Sequence, residues 1–380
     1  MGVVVLCGKT VELSDSIPAF GWKVVKDVKS DSKVEIKDLT AENKYYRITL
    51  DKAGRISELY DKTANRQVIK SGEKANELQA FEDYPRQYDN WEITDYYKEK
   101  MYVLDTPADI IPISDGTRKG FKISRKYMDS TISQNLWIYT DCPRIDFETE
   151  IDWHQHHQIL KTAFPLVVHS NTATFDIQFG HTQRPTHANT SWDKAKFETC
   201  GHKWVDMSEN GYGVALLNDC KYGHSAEGST LKLTILKCGT YPNPEADQGK
   251  HILTYSLLPH TGDFRTAGVI NEAYALNQPL TAIETSASGS LPETFSLVSC
   301  DKPNIIIETV KKAEEDESML VRMYEAFDSR GEVTVTVAEG FKKAYLCNLM
   351  EKELKRLDLK DGKVNIPYKN FEIITLKFSK

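Results

Sequence analysis

The chain has 380 residues, of which 40% are hydrophobic and 27% charged, a composition that builds a packed core, excludes dominant disorder and is long enough for two or three domains. Its formal charge of −7 gives no basic stripe, so no nucleic-acid partner is expected, and no apolar run approaches the ~20 residues of a membrane helix. The seven cysteines are scattered and form no Cys-x-x-Cys pair, which excludes a zinc ribbon or disulfide framework and fits reduced thiols in the cytoplasm.

The chain opens on Gly2-Val-Val-Val-Leu-Cys-Gly8, too short and too poor in basic residues for a signal peptide. Leu6 stands where a myristoylation motif needs Ser or Thr. A strand-like run at the very start, without a leader, suits a piece of something longer. Tyr45–Asp51 alternates, Lys52-Ala-Gly-Arg55 supplies turn chemistry, and Ile56–Tyr60 returns. Short β-rich runs follow at Phe121–Ile123, Ser133–Tyr139, Ile145–Trp153, Thr174–Phe179, Val214–Leu217, Leu231–Leu236 and His251–Leu258. A further group lies at Asn304–Val310, Leu320–Glu325, Glu332–Val337, Lys343–Asn348 and Glu372–Phe378. Asp115-Gly116, Asp141-Cys-Pro143, Glu209-Asn-Gly211, Asp328-Ser-Arg-Gly331 and Asp361-Gly362 punctuate them. Only Ile270–Leu276 offers helical turns. The pattern predicts an all-β chain of sandwiches. A Ser/Thr/Gly-rich connector sets the boundaries: strands of a small sandwich at 1–35, a large β unit at 36–262, a connector at 263–290 and a C-terminal sandwich at 291–380.

Four segments concentrate chemistry. Gly180–Glu198 packs Arg184, His187, Asn189, Trp192 and Asp193 into a run too irregular for one strand. Such a loop either recognises a sugar, with an apolar Trp face and directional polar groups, or packs on itself. Glu150-Ile-Asp-Trp-His-Gln-His-His157, if a strand, puts Asp152, His154 and His156 on one face, as metal ligands or as a plain polar face. Tyr84–Asn90 and Trp91–Tyr97 mix aromatics with carboxylates, as a sugar platform or an inter-domain seam. Thr240–Gly249 is a proline-stiffened excursion whose Glu245 and Asp247 are the kind of carboxylates that glycosidases pair. No phosphate-cradling glycine motif, Gly-x-Ser-x-Gly elbow or His-Glu-x-x-His is present.

Taken in order, these segments resemble a known family. Arg184-Pro-Thr-His-Ala-Asn-Thr-Ser-Trp-Asp193, His202-Lys-Trp-Val-Asp-Met-Ser-Glu209 and Gly211–Gly223 resemble the C-terminal β region of glycoside hydrolase family 38 α-mannosidases, in particular their cytosolic and bacterial branch. Leu59-Tyr-Asp-Lys62, Trp91–Tyr97, Asp152-Trp-His154, Thr240–Gly249, Tyr255-Ser-Leu-Leu-Pro-His260, Glu308–Ala313 and Val321–Ala326 extend the likeness from about residue 15 to the end. The resemblance implies a large galactose-mutarotase-like supersandwich flanked by smaller β-sandwiches. It also implies that the full-length enzyme hydrolyses α-mannosides with retention, through a carboxylate nucleophile, a second carboxylic acid and a zinc ion. In the family those groups belong to N-terminal domains. None is therefore carried over here: no catalytic residue, metal ligand or cofactor is expected in this chain, which is read as inactive alone. The expected partners are α-mannosides and that N-terminal catalytic domain, with self-association of exposed apolar surface as a further expectation. By motif position, the resemblance makes Asp95, Tyr96, Tyr241 and Asp247 candidates for the substrate rim, with Arg184, His187, Trp192 and Asp193 as rim or loop-shaping residues. A stand-alone sugar-binding module and a mutarotase-like enzyme using His154 or His156 with a carboxylate remain the alternatives.

Overall fold

The computed structural model describes residues 2–6, 9–13, 16–26, 31–286 and 289–380. Cys7 lies outside them; the six described cysteines are unpaired. The chain is all-β and forms two compact units: Met1–Ser14 with Val28–Asp176 and Gln183–Glu284, and Asp15–Asp27 with Ile177–Thr182 and Thr285–Lys380.

The larger unit is built on two large antiparallel sheets. One runs Asp109–Asp115, Arg118–Tyr127, Ser130–Tyr139, Ile145–Trp153, Gly249–Thr261, Tyr212–Asn218, Trp204–Glu209, Thr172–Ile177 and Gly180–Pro185. The other runs Met101–Val103, Glu77–Glu82, Gln158–Pro165, Thr230–Cys238, Gly223–Glu227 and Thr199–Cys200. A smaller five-stranded sheet, from Glu35–Lys37 to Arg66–Gln67, shares their core. Alternation explains the layering, since side chains along a strand point to opposite faces. Phe147 and Tyr255 of the first sheet stack at 5.0 Å between ring centres, and Phe164 of the second meets both edge-on at 5.9 and 6.3 Å. The Tyr255 hydroxyl is not stranded there: it donates to Asn76 Oδ1 (2.6 Å) and accepts from Gln134 Nε2 (2.7 Å). A buried phenol needs such partners.

Each strand expected from the sequence is present, and the expected helix spans Val269–Asn277. Asp152, His154 and His156 do not share a strand. The strand ends at Trp153, His154 N–H turns to Ser130 Oγ (2.8 Å), and His157 takes a left-handed φ of 52°. The first 35 residues divide between the units, because Gly21–Lys23 pairs with Thr294–Ser296.

The smaller unit stacks a five-stranded sheet (Ile305–Lys312, Met319–Glu325, Ile373–Ser379, Lys343–Cys347, Glu353–Leu357) with a three-stranded one (Val298–Cys300, Gly331–Val337, Lys363–Tyr368). Val321, Met323, Val333, Val335, Leu376 and Phe378 fill its core. Buried Glu325 holds the adjoining loops by accepting amide protons from Phe327 (2.8 Å), Ser329 (3.1 Å) and Phe371 (3.1 Å).

Candidate functional site

The outward face of the six-stranded sheet carries the candidate site. Glu77, Gln79 and Phe81 alternate outward on one strand; Ile159, Lys161 and Ala163 do so on the next, and Lys232 and Thr234 on the third, as the register dictates. Two long loops and the 3₁₀ helix Asp95–Glu99 cover this face.

Lys161 sits beneath that cover with 0% exposure. Its ammonium pairs with the Glu198 carboxylate and donates to the Tyr97 hydroxyl (3.1 Å) and Ser225 Oγ (3.4 Å), while Glu198 Oε1 accepts from Thr234 Oγ1 (2.6 Å). Burial drives the lysine below its ordinary range and the Glu198 charge opposes that; a buried charge persists only when paired in this way. Burial, assisted by the Lys161 charge, also pushes nearby His224 down to about 3, so it is neutral at pH 7. Above the network, Ile159, Phe81, Tyr97, Ile93 and Phe197 form an apolar lid.

The loop 186–198 holds its shape through a capping box. Thr190 Oγ1 accepts the Asp193 amide (3.1 Å), and the Asp193 carboxylate accepts from Thr190 N and Oγ1, at the start of the helix Ser191–Lys194. Asp193 also lies 3.7 Å from His187 Nδ1, and Lys194 reaches Asp95 at 3.3 Å. Between this loop and the 3₁₀ helix is a cavity of about 420 Å³, lined by Asp95, Lys98, His187, Asp193, Lys194 and Phe197 among others.

The remaining candidates fall elsewhere. Asp89, almost fully buried, stitches two loops together: its carboxylate accepts the amides of Thr240 (2.8 Å) and Tyr241 (2.7 Å) and the Thr240 hydroxyl (3.2 Å). Burial works to raise that carboxyl, but these bonds and the His157 ring hold it below its usual range. Gly239 permits the close approach, since a Cβ there would lie 2.3 Å from Asn90 Oδ1. The loops thereby present an aromatic cluster in which Tyr88 lies 5.7 Å from Trp91 and 5.6 Å from Tyr241 between ring centres, with Trp91 73% exposed. Tyr96, in the 3₁₀ helix, donates to the Tyr84 carbonyl (2.8 Å). Asp247 serves its own loop, its carboxylate accepting the Lys237 amide (3.2 Å). Arg184 lies over the Phe175 ring at 5.4 Å, and Trp192, 81% exposed, does not line the cavity.

The structure thus brings Asp95, His187 and Asp193 together, sets Tyr241 in an aromatic cluster and Tyr96 against the Tyr84 backbone, and leaves Arg184, Trp192 and Asp247 apart. Sequence reasoning missed Lys161, Glu198, Asp89 and Lys98. A lysine inside the Ile159–Phe164 run, whose other residues are apolar except Thr162, was the one available signal. Zinc needs three or more converging donors. Asp152 and His154 meet at 3.0 Å, but among the described residues no group of three such side chains converges. The zinc implied by the resemblance finds no fit here.

Comparison with known proteins agrees with the motif reading. The model described as "Glycosyl hydrolases family 38 C-terminal domain" matches residues 41–245. The chain belongs to glycosyl hydrolase family 38. A second model, "Glycosyl hydrolases family 38 C-terminal beta sandwich domain", matches residues 304–376. The family likeness extends to curated proteins. Alpha-mannosidase 2C1 of Homo sapiens is 39% identical over 349 residues, covering 89% of this chain and 33% of that protein. Alpha-mannosidase G of Dictyostelium discoideum is 35% identical over 363 residues, covering 90% and 32%. The chain therefore spans about a third of the length of the curated relatives it matches. In fold it is similar to an alpha-mannosidase from Enterococcus faecalis V583, with a TM-score of 0.79 at 16% identity over 95% of this chain and 45% of that one. Both matched models are C-terminal domains of family 38, and both fall on the β-sandwich elements described above.

Proposed function

We propose that this chain serves as the C-terminal β region of an α-mannosidase that hydrolyses α-mannosidic bonds with retention, and that the cavity at Asp95, His187 and Asp193 forms part of the substrate rim. The observation that carries this reading is the convergence of those three residues, from two separate loops, on one face of a rigid sheet. Hydroxyl-rich ligands need fixed donors and acceptors in alternation. Here two carboxylates, an imidazole and the ammonium groups of Lys98 and Lys194 supply them. Tyr88, Trp91 and Tyr241 add apolar ring faces of the kind that pack on a sugar. The nucleophile, the acid and the zinc of the whole enzyme would come from outside this chain. The unpaired cysteines are compatible with the cytoplasm. No helix among the described residues is long and apolar enough to cross a membrane. The aromatic cluster would face the catalytic part of the enzyme; a chain purified without that part should self-associate in light scattering, and a monodisperse monomer would count against the assignment of that face.

Complementation tests the proposal. A family 38 α-mannosidase lacking its C-terminal third should regain turnover of a chromogenic α-mannoside when this chain is supplied or fused. Asp95→Asn with Asp193→Asn should then raise KM severalfold with little change in kcat, the signature of lost binding rather than lost chemistry. Failure to restore turnover, or a collapse of kcat at unchanged KM, would overturn it.

A further inference from the structure

A second cavity, of about 480 Å³, lies on the same outward sheet face, and Glu227 lines both cavities. Glu227 is held by Lys98, a lining residue of the first, so one ion pair forms the wall between them. Strand register builds the floor. Glu77 is opposite Ala163 and Ala163 opposite Lys232, with Gln79 beside Lys161 in the next row. Arg55 forms the side wall and is fixed by Asp51 and by Glu77 (3.1 Å), so it is a rigid donor rather than a mobile one.

One atom in this cavity is buried without a partner, and one half-buried cation has no ion pair among the described residues. Gln79 is only 7% exposed; its Nε2 donates to Glu77 Oε1 (2.8 Å), which fixes the amide orientation and leaves Oε1 buried with no donor. A lone buried acceptor is costly to folding, and a ligand hydroxyl can remove that cost. Lys232 has no carboxylate within ion-pair distance among the described residues; its ammonium lies over the Phe81 ring at 5.5 Å. Burial, with the neighbouring Lys161 charge, holds its ammonium below the ordinary range, and the more distant Glu227 and Glu198 carboxylates offset this only in part. The ligand class follows from this pairing. A phosphate or carboxylate would satisfy Lys232 and Arg55 but would leave Gln79 Oε1 without a donor and would face Glu77 and Glu227. A cation would face Lys232, Lys74 and Arg55. The hydroxyls of a sugar, each both donor and acceptor, can donate to Gln79 and accept from Lys232.

We propose that this second cavity is a saccharide subsite for a neutral sugar unit, adjoining the first across Glu227, so that the ligand is an oligosaccharide of at least two units. The inference rests on the reading of the first cavity as part of a mannoside rim. Calorimetric titration of the full chain with methyl α-mannoside and with an α-linked mannobiose tests it. The disaccharide should bind about fivefold or more tightly than the monosaccharide, the contribution of one or two hydroxyl hydrogen bonds. Lys232→Met and Gln79→Met should each erase that advantage and leave the methyl α-mannoside affinity unchanged. Lys74→Ala, at the mouth, gives a second reading if a floor variant fails to fold, and should weaken the disaccharide alone. Equal affinities, an advantage that survives these variants, or inorganic phosphate competing with the disaccharide would each overturn the subsite. Restored turnover in the complementation assay with no disaccharide preference would remove the subsite and leave the proposed function standing.

Discussion

Replacing Lys161 with methionine probes the charge pair that supports the floor of the candidate site. The lysine is wholly buried and the Glu198 side chain is 10% exposed. Without the ammonium, the Glu198 carboxylate keeps, among the described residues, the Thr234 and Tyr97 hydroxyls. Stranding one member of a buried ion pair costs about 3–5 kcal/mol. The reciprocal variant Glu198→Gln leaves an ammonium that can shed its proton; shifting it from about 10.5 to neutral at pH 7 sets an upper limit of about 5 kcal/mol, at roughly 1.36 kcal/mol per unit. Replacing both residues together, with Lys161→Met and Glu198→Gln, removes both charges while keeping the volume. The double variant should therefore recover to within about 1–2 kcal/mol of the parent. Urea unfolding followed by tryptophan fluorescence and far-ultraviolet circular dichroism measures all four proteins. A Lys161→Met cost below about 1 kcal/mol, or a double variant as unstable as the two singles summed, would refute the pairing.

His224 makes stability depend on pH. Its folded pKa of about 3 lies below the unfolded value near 6.5, so its contribution is fully present above 6.5 and is lost as the pH falls toward 3. At roughly 1.36 kcal/mol per unit, that amounts to about 2 kcal/mol between pH 6.5 and pH 5. His224→Leu should flatten this stretch of the urea-midpoint profile, and parallel losses in variant and parent would contradict the assignment. Asp89→Ala frees the amides of Thr240 and Tyr241 and should cost about 2–3 kcal/mol, with faster proteolytic nicking of the 239–248 loop; Asp89→Asn, which keeps one acceptor oxygen, should fall between. Unchanged cleavage in Asp89→Ala would mean that the loop is held by something else.

The sequence and the structure diverge where a pattern lost its period. Strands with one face in the core, such as Tyr46–Leu50 and Ile145–Trp153, alternate and were legible. Gln158–Pro165 was not, because every residue in it is buried and no alternation survives; with it went Lys161 and the sheet face that positions the site. Gly223–Glu227 and Glu77–Glu82 were missed for lack of a clean period-two signal. The motif around Arg184–Asp193 lies on the loop that borders the first cavity, and of its polar candidates His187 and Asp193 line that cavity whereas Arg184, Asn189 and Trp192 do not. Thr190 spends its hydroxyl on the local capping box, and Arg184 lies on Phe175. Side-chain direction in an irregular loop depends on such local bonds, which spacing alone does not encode. The Asp152–His154–His156 alignment required a strand that ends at Trp153, where the Ser130 hydroxyl captures the next amide.

Hydrolysis of a chromogenic α-mannoside by this chain alone, with and without added zinc, is the most direct measurement of whether the chemistry lies outside it. The expected result is no turnover in either condition, because no zinc donor set converges among the described residues and the first cavity is assigned to binding. Zinc-dependent turnover would contradict that assignment and would place both a metal site and a hydrolytic carboxylate pair within these 380 residues.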